Sequence, residues 1–366
     1  MSSLKLAFVG GFLEAKGGLE RFVLEVGRRL IDQGVDVRIF CHKYDHLRTF
    51  SELERIPLQS MRARSQLFNR FATFYSVDNM KRLVAKATNW GADLLFLQKG
   101  YIFSKFLQQL TKKPIISYVH NQEYFYENKS GFRSIYRRLF GLSPANIVGI
   151  DDVPTICNSY YTANLVKDRF PNARNVTVVY PGVDHNKFRP TWQDRGYIYY
   201  QSRYGGSKNQ KFAAEIASKI EYPLILSGFL DSKQYKKYFD ELSSNKSDNV
   251  TILINISDDQ ALSYLQNCSV FLFPSINEPF GIATVEAMAC GKPVVGHNSG
   301  ATPEIISHIG YLCGDDLSEW VERVKYLMAD RRLRQELGAK SHQTAKKYGW
   351  DRTVVELEKI FYSAIR

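Results

Sequence analysis

The chain has 366 residues, of which 44% are hydrophobic and 23% are charged. This composition excludes a disordered chain, a collagen-like repeat and a small disulfide scaffold, and the length predicts two domains. The longest apolar runs, such as Ala7–Val9 and Val270–Pro274, are far shorter than the roughly 20 residues of a membrane-spanning helix. The first residues lack the pattern of a secretory signal, so we expect a cytoplasmic protein.

The net charge of +12 is concentrated in one part of the chain. Residues 51–150 carry 15 basic and 6 acidic side chains. This excess indicates an anionic partner, which charge alone leaves open among a phospholipid surface, a phosphorylated acceptor and nucleic acid. The five cysteines are widely spaced without a CxxC pair, a pattern typical of reduced thiols.

The first half alternates predicted strands and helices. Leu19–Leu30 has apolar residues at every third or fourth position, which is typical of an amphipathic helix, and Gly34 ends it. Such alternation indicates a parallel sheet with crossover helices. The predicted strands of this half are Leu4–Gly10, Val35–Phe40, Leu94–Leu97, Ile115–Val119, Pro154–Cys157 and Val176–Val179.

The second half repeats the alternation and predicts a second doubly wound lobe. Between the halves, Tyr180–Asp184 combines Pro and Gly, which favours a hinge. The apolar stripe of Trp350–Ile365 predicts a helix that packs back on the first lobe. The predicted domains are residues 1–182, residues 183–348 and a terminal helix over 349–366. The predicted strands of the second half are Tyr197–Gln201, Leu224–Leu226, Val250–Ile254, Val270–Phe273 and Pro293–Val295.

Two carboxylates follow the strand that ends at Phe273. Glu278 lies in the loop after this strand, and Glu286 lies about one turn into the next helix, which we expect to begin near Gly281–Ile282. Ligands bind at the carboxyl ends of parallel strands, and the first amides of a helix stabilise a phosphate. The pair can therefore hold the hydroxyls of a sugar, although two ordinary surface glutamates are the plain alternative.

Two cations follow another predicted strand, that of Tyr197–Gln201. Arg203 offers a bidentate fork and Lys208 a mobile point charge, and together they could neutralise a diphosphate. We expect both to face the Glu278 loop. The plain alternative is a glycine turn that carries solvated cations.

Two weaker clusters lie in the first half. Gly17 and Gly18 end a glycine loop that matches neither the dinucleotide pattern nor the P-loop pattern, yet their backbone could contact a donor phosphate or an acceptor; a plain strand-to-helix turn is the alternative. His120 ends a predicted strand, where a purely structural histidine is the alternative. Residues 132–140 mix cations with apolar side chains at helical spacing, so they either touch anionic lipid or form a solvated helix.

The four clusters, in this order, resemble the retaining glycosyltransferases of family 4. Glu278 and Glu286, followed by Gly291–Val295, are similar to the E-x7-E signature of that family. Tyr180–Asp184 is similar to its interlobe motif, and Ala301–Glu304 resembles its next helix entry. The resemblance covers nearly the whole chain. It implies an α/β protein with two Rossmann-like doubly wound lobes that face a cleft, the GT-B fold.

The resemblance also implies roles for single residues of the second lobe, which would bind the nucleotide sugar. Glu286 would hold the ribose, while Glu278 and the backbone of Phe280, Gly281 and Ile282 would hold the transferred sugar and the diphosphate. Arg203 and Lys208 would stabilise the leaving diphosphate. The loss of one donor of this kind raises the activation free energy by about 2.7–4 kcal/mol.

The first lobe would bind the acceptor, and His120 would match the family's histidine near the donor sugar. Residues near Asn255–Ile256 would line the base pocket. Two residues depart from the family pattern, because Gln201 and Asn209 stand where glycine is commoner. No D-x-D pair occurs in a suitable loop, so we expect neither metal nor another cofactor, and retention is expected from attack on the same face of the sugar.

The implied reaction moves a hexose from a UDP or GDP sugar to a hydroxyl of a glycan or lipid-linked acceptor, in cell-envelope polysaccharide or glycoconjugate synthesis. The basic first half suggests an anionic membrane surface as a further partner. A nucleotide-sugar epimerase or a phosphorylase of the same fold is an alternative. Another is a nucleic-acid-binding protein with a degenerate sugar site, although no nucleic-acid module is recognisable, so no nucleic acid is expected.

Overall fold

A computed structural model describes most of the chain. The predicted surface segment 132–140 lies outside the described residues, as do Gly11 and residues 14–15 of the glycine loop. The described residues are 3–10, 12–13, 16–46, 48–61, 72–121, 149–230, 235–306 and 308–366.

The chain divides into two compact units. Unit 1 comprises Met1–Tyr180 and Asp351–Arg366, and unit 2 comprises Pro181–Trp350. The chain therefore leaves unit 1 within the predicted Pro-Gly segment and returns to it inside the last helix. Each unit is built on its own sheet.

Unit 1 holds a seven-stranded sheet among its described residues, in the order β5-β3-β1-β6-β7-β8-β9, and every pair in it is parallel. Its strands are β1 (Lys5–Val9), β3 (Asp36–Cys41), β5 (Leu58–Ser60), β6 (Leu94–Leu97), β7 (Ile115–Val119), β8 (Thr155–Cys157) and β9 (Val176–Val178). Its helices are α1 (Gly18–Asp32), α2 (Ala72–Asn89), α3 (Ser104–Gln108) and α4 (Tyr160–Arg169). The helix that begins in unit 2 and ends in unit 1 is α12 (Trp350–Ile365).

The two faces of the central strands bury different side chains, as expected for a sheet covered on both sides. Leu95 and Leu97 of β6 belong to a core cluster with Leu83 of α2. On the opposite face, the ring of Phe96 contacts Phe361 of α12, with centroids 4.8 Å apart. The predicted C-terminal helix thus covers the first sheet.

The glycine loop after β1 contains an element that the sequence pattern did not indicate. Phe12–Leu13 forms a short strand, β2, that pairs in parallel with β4 (Lys43–Tyr44). Two residues are too few to show alternation, so only the tertiary pairing reveals them.

Unit 2 holds a six-stranded parallel sheet within the part of the chain that the structure describes, in the order β12-β11-β10-β13-β14-β15. Its strands are β10 (Ile198–Gln201), β11 (Leu224–Gly228), β12 (Val250–Ile254), β13 (Val270–Phe273), β14 (Val294–His297) and β15 (Tyr311–Cys313). Its helices are α5 (Gln210–Ala217), α6 (Lys236–Ser244), α7 (Asp258–Asn267), α8 (Ile282–Ala289), α9 (Thr302–Ile306), α10 (Leu317–Ala329) and α11 (Arg331–Ala345).

The ends of unit 2 are joined to each other. The Val183 amide donates to the Tyr348 carbonyl at 2.9 Å, and Val183 forms a parallel bridge with Gly349. A Cβ on Gly182 would lie 2.3 Å from the Trp350 nitrogen, so only glycine permits this approach. The first and last residues of unit 2 therefore lie side by side.

All five cysteines are buried free thiols, as predicted. Burial raises the pKa of Cys41, Cys157, Cys268 and Cys313 to about 12. Such thiols remain protonated at neutral pH and are poor nucleophiles.

Candidate functional site

Lys208 and Glu278 meet in unit 2. They lie in the loops that follow β10 and β13, which are neighbours in the sheet, so both loops leave the same edge. Lys208 Nζ forms an ion pair with Glu278 Oε2, and the two side chains are 22% and 15% exposed. The predicted proximity of this cation to the Glu278 loop is confirmed.

The two loops are tied together by a buried tyrosine. The Tyr200 hydroxyl, from β10, lies 2.5 Å from the Lys208 carbonyl and 2.8 Å from the Ser275 hydroxyl. The Ile276 amide adds a bond to the Ser207 carbonyl at 3.2 Å. Lys208 and Glu278 are thus held at a fixed separation by backbone contacts as well as by their own charges.

Gln210 closes the loop that carries the cations. Its buried amide donates to the Ser202 hydroxyl at 2.8 Å and to the Arg203 carbonyl at 2.7 Å. The Tyr238 hydroxyl donates to the side-chain oxygen of Gln210, Oε1, at 3.1 Å. The loop backbone is fixed, whereas Arg203 itself is exposed, so the contact of its guanidinium with a diphosphate stays a prediction.

Asn209 explains one departure from the expected glycine pattern. Its φ of 56° and ψ of 34° lie in the left-handed region, which glycine enters freely and asparagine more readily than most other residues. The position requires this conformation because it ends the turn of Gly206–Lys208 and precedes α5. Asparagine therefore preserves the loop that presents Lys208.

Helix α8 begins at the predicted place. Gly281, at a φ of 86°, is its N-cap, and the amides of Ile282 and Ala283 belong to the first turn, where no acceptor exists within the helix. Glu286 lies one turn after Ile282, so both occupy one face of α8, and both are half-buried. Phe280 is buried, with its ring against Tyr348, and anchors the loop.

The residues after β14 support the Glu278 loop from its other side. The Ala301 amide donates to the Glu278 carbonyl at 2.8 Å. A Cβ on Gly300 would lie 2.5 Å from the Glu278 nitrogen, and Gly300 has a φ of +64°. Only glycine fits at this position. The predicted helix entry at Ala301–Glu304 is present, as α9, and its contact with the Glu278 loop is a feature that the sequence does not reveal.

Asn255 also adopts a left-handed conformation, with a φ of 53°. Its amide donates to the Gly228 carbonyl at 2.9 Å, and its side-chain oxygen accepts a bond of 3.3 Å from the Leu230 amide. The turn after β12 is therefore ordered around this residue. Its assignment to a base pocket stays a prediction.

In unit 1, Gly17 is the N-cap of α1 and Gly18 is its first residue. A Cβ on Gly17 would lie 2.7 Å from Glu20 Oε2, so the carboxylate of Glu20 folds back over this end of the helix. A phosphate there would meet that negative charge. The contact of Gly17 and Gly18 with a donor phosphate or an acceptor stays a prediction.

His120 follows β7 and is held by its neighbours. Its Nε2 lies 2.9 Å from Gln98 Oε1, and its carbonyl accepts a bond of 2.8 Å from Asn158. Burial, assisted by the charge of Lys99, lowers the pKa of His120 to about 3. The ring is neutral at physiological pH, so it can donate or accept a hydrogen bond but cannot supply a positive charge.

Comparison with known families covers both units. The model described as "Glycosyltransferase Family 4" matches residues 16–187, and the model described as "Glycosyl transferases group 1" matches residues 184–344. The chain is a family 4 glycosyltransferase. The two matches meet at the predicted interlobe segment, and the resemblance drawn from Glu278, Glu286 and their neighbours is confirmed.

Curated relatives extend this result over most of the chain. The human protein named alpha-1,3/1,6-mannosyltransferase ALG2 is 24% identical over an alignment that covers 90% of this chain and 89% of the relative. An uncharacterized glycosyltransferase of Methanocaldococcus jannaschii is 27% identical, over 56% of this chain and 58% of the relative.

A solved structure shares the fold. HepE from Anabaena, crystallised with UDP and glucose, superimposes with a TM-score of 0.77 at 18% identity, over 98% of this chain and all of HepE. The expected GT-B class, with two Rossmann-like sheets, is confirmed. Among the helices that the structure describes in this family 4 enzyme, none combines the length and apolar character of a membrane span.

Proposed function

We propose that the protein transfers a hexose from a nucleotide-diphosphate sugar to a hydroxyl of a glycan or lipid-linked acceptor, with retention of anomeric configuration. The observation that carries the proposal is the Lys208–Glu278 pair beside the first turn of α8. A cation and free amides suit a diphosphate, while a carboxylate next to them suits a sugar hydroxyl.

Lys208 exchanges its partner when the donor binds. In the free protein its charge is balanced by Glu278. A bound diphosphate takes the ammonium and leaves the Glu278 oxygens to accept hydrogen bonds from the transferred sugar. As the bond to the leaving oxygen breaks, negative charge grows there, and Lys208 and Arg203 stabilise it.

The first amides of α8 share in this stabilisation, because the positive end of the helix dipole lies at Gly281–Ile282. Glu286, one turn further on, holds the ribose. The cations and amides supply the neutralisation, so we propose that transfer needs no metal. Attack from the face that the diphosphate leaves accounts for retention without a carboxylate nucleophile.

The relatives support the donor class. The human relative is a mannosyltransferase by name, and the HepE structure contains UDP and glucose. We therefore propose a UDP or GDP sugar as the donor, with unit 2 as the donor-binding unit and unit 1 as the acceptor-binding unit. Cell-envelope polysaccharide or glycoconjugate synthesis is the proposed setting, at the cytoplasmic side of the membrane.

A thermal-shift screen over UDP, GDP and ADP sugars tests the donor. A ligand at 100 times its Kd stabilises the folded protein by about 2.7 kcal/mol, so the correct base should raise the Tm and the others should not.

Transfer to acceptor glycans is then measured with that donor, and EDTA is expected to leave the rate unchanged. Donor isomerisation would indicate an epimerase, and phosphate-dependent cleavage a phosphorylase. A mobility shift with DNA, without any response to nucleotide sugars, would contradict the proposal.

Cosedimentation with vesicles tests the proposed membrane surface. The basic excess of residues 51–150 should draw the protein to vesicles that contain anionic phospholipid, with binding that weakens as salt rises because exposed charges are screened. Neutral phosphatidylcholine vesicles are the control. Equal recovery in the supernatant with both vesicle types at physiological salt would point to a soluble acceptor.

A further inference from the structure

A chain of side-chain hydrogen bonds leads from the far end of β14 to the Glu278 loop. His297 Nε2 lies 3.0 Å from Asp315 Oδ1, and His297 Nδ1 lies 2.8 Å from Ser299 Oγ. Ser299 Oγ in turn accepts a bond of 2.9 Å from the amide of Asn277. This series of hydrogen bonds therefore ends at Asn277, the residue that precedes Glu278.

The donors and acceptors of this chain allow one consistent arrangement with a neutral ring. The Asn277 amide can only donate, so Ser299 Oγ accepts there and its own hydrogen is available for His297 Nδ1. Nδ1 then carries no proton, and Nε2 donates its proton to Asp315. The carboxylate thus selects the tautomer in which Nδ1 accepts from Ser299.

Asn277 needs this support because of its backbone. Its φ is 53°, and a left-handed conformation at a residue other than glycine persists where the surroundings enforce it. His297 can enforce it because the ring is buried, at 6% exposure, and lies beside Trp320 with centroids 6.2 Å apart.

We propose that His297 is a positioning residue for Glu278, acting through Ser299 and the Asn277 amide. This rests on the proposed function only in that Glu278 contacts the transferred sugar. His297 touches neither sugar nor diphosphate in this proposal. His297 fixes the position of the loop backbone that carries the Glu278 carboxylate. An outer hydrogen-bond partner orients a metal ligand in the same way.

Two substitutions test the hydrogen bonds of the two ring nitrogens of His297 separately. His297→Asn keeps an oxygen close to the place of Nδ1 and so keeps an acceptor for Ser299, whereas His297→Gln reaches toward Asp315 and leaves the Ser299 hydroxyl without its acceptor. Since a misplacement of about 1 Å can cost about 100-fold in rate, we expect kcat to fall about tenfold in the glutamine variant. The asparagine variant should stay within about threefold, with donor KM little changed in both.

A double-mutant cycle tests the path. Ser299→Ala should lower kcat as much as His297→Gln, and the double variant should lose no more than either single variant, because all act through one chain. His342→Gln is the matched control, because His342 Nδ1 lies 2.8 Å from the Ala289 carbonyl, at the opposite end of α8 from Gly281. The kcat of this variant should not change.

Hydrogen exchange supplies a readout that is independent of activity. The Asn277 amide should exchange about tenfold faster in His297→Gln and Ser299→Ala than in the wild type, and at nearly the wild-type rate in His297→Asn. Equal behaviour of the Asn and Gln variants, additive losses in the double variant, or an unchanged Asn277 amide would overturn the proposal. Glu278→Gln is assayed alongside, and wild-type transfer by that variant would refute the role of Glu278 instead.

Discussion

Replacing Lys208 with alanine is expected to lower kcat by about 100- to 1,000-fold, the cost of about 2.7–4 kcal/mol for one lost charge-stabilising donor. The substitution removes the ion-pair partner of Glu278 Oε2. The folded unit should survive, because Tyr200 bonds the backbone carbonyl of residue 208 and not its side chain. Steady-state transfer assays and circular dichroism check the two halves of this expectation.

Lys211 offers a matched control three residues further along the chain. It forms an exposed ion pair with Glu241, with side chains 42% and 44% exposed, and such pairs contribute little. Lys211→Ala should therefore change kcat less than about twofold. Near-wild-type turnover by Lys208→Ala would remove Lys208 from the leaving-group site.

Replacing Arg334 with alanine is expected to cost about 3–5 kcal/mol of unfolding free energy, as when one partner of a buried pair is removed. Arg334 Nη2 lies 2.7 Å from Asp194 Oδ2, and Nη1 donates to the carbonyls of Leu327 and Met328 at 2.7 and 2.6 Å. Burial raises the pKa of Asp194, but hydrogen bonds from Ser269 and Arg334 outweigh it and hold that pKa below its usual value.

The Tm of a domain of this size should fall by about 2–4 °C for each kcal/mol lost. Lys340→Ala, which breaks an exposed pair with Glu336 on the same helix, is the control and should shift the Tm by less than about 2 °C. If differential scanning calorimetry gave both variants the same Tm, the buried pair would not stabilise unit 2.

The fold was largely predictable because its strands are buried on both faces. A continuous apolar run such as Val270–Phe273 is bounded by Ser269 and by Pro274, which has no amide hydrogen to donate to a strand neighbour, so the predicted and observed strands coincide. Asp36–Cys41 begins one residue later than predicted, since Val35 is buried yet lies outside the ladder. The short strands β2, β4, β5 and β15 escaped prediction, because two or three residues are too few to show a period.

The candidate site was predictable in part. Lys208 and Glu278 could be brought together from sequence because both follow strands of one parallel sheet. The residues that hold them could not. Tyr200 is indistinguishable in sequence from any strand aromatic, and the bond between His297 and Asp315 joins residues that are 18 positions apart, a spacing that no secondary-structure period relates.

The discontinuity of unit 1 has a consequence for biosynthesis. Unit 2 is one uninterrupted stretch, whereas unit 1 is completed only by Asp351–Arg366, which bring Phe361 to Phe96. During synthesis, unit 2 can therefore fold completely before unit 1 does. Part of the apolar surface of unit 1 stays uncovered until α12 has left the ribosome. We therefore expect chaperones to bind unit 1, rather than unit 2, during translation.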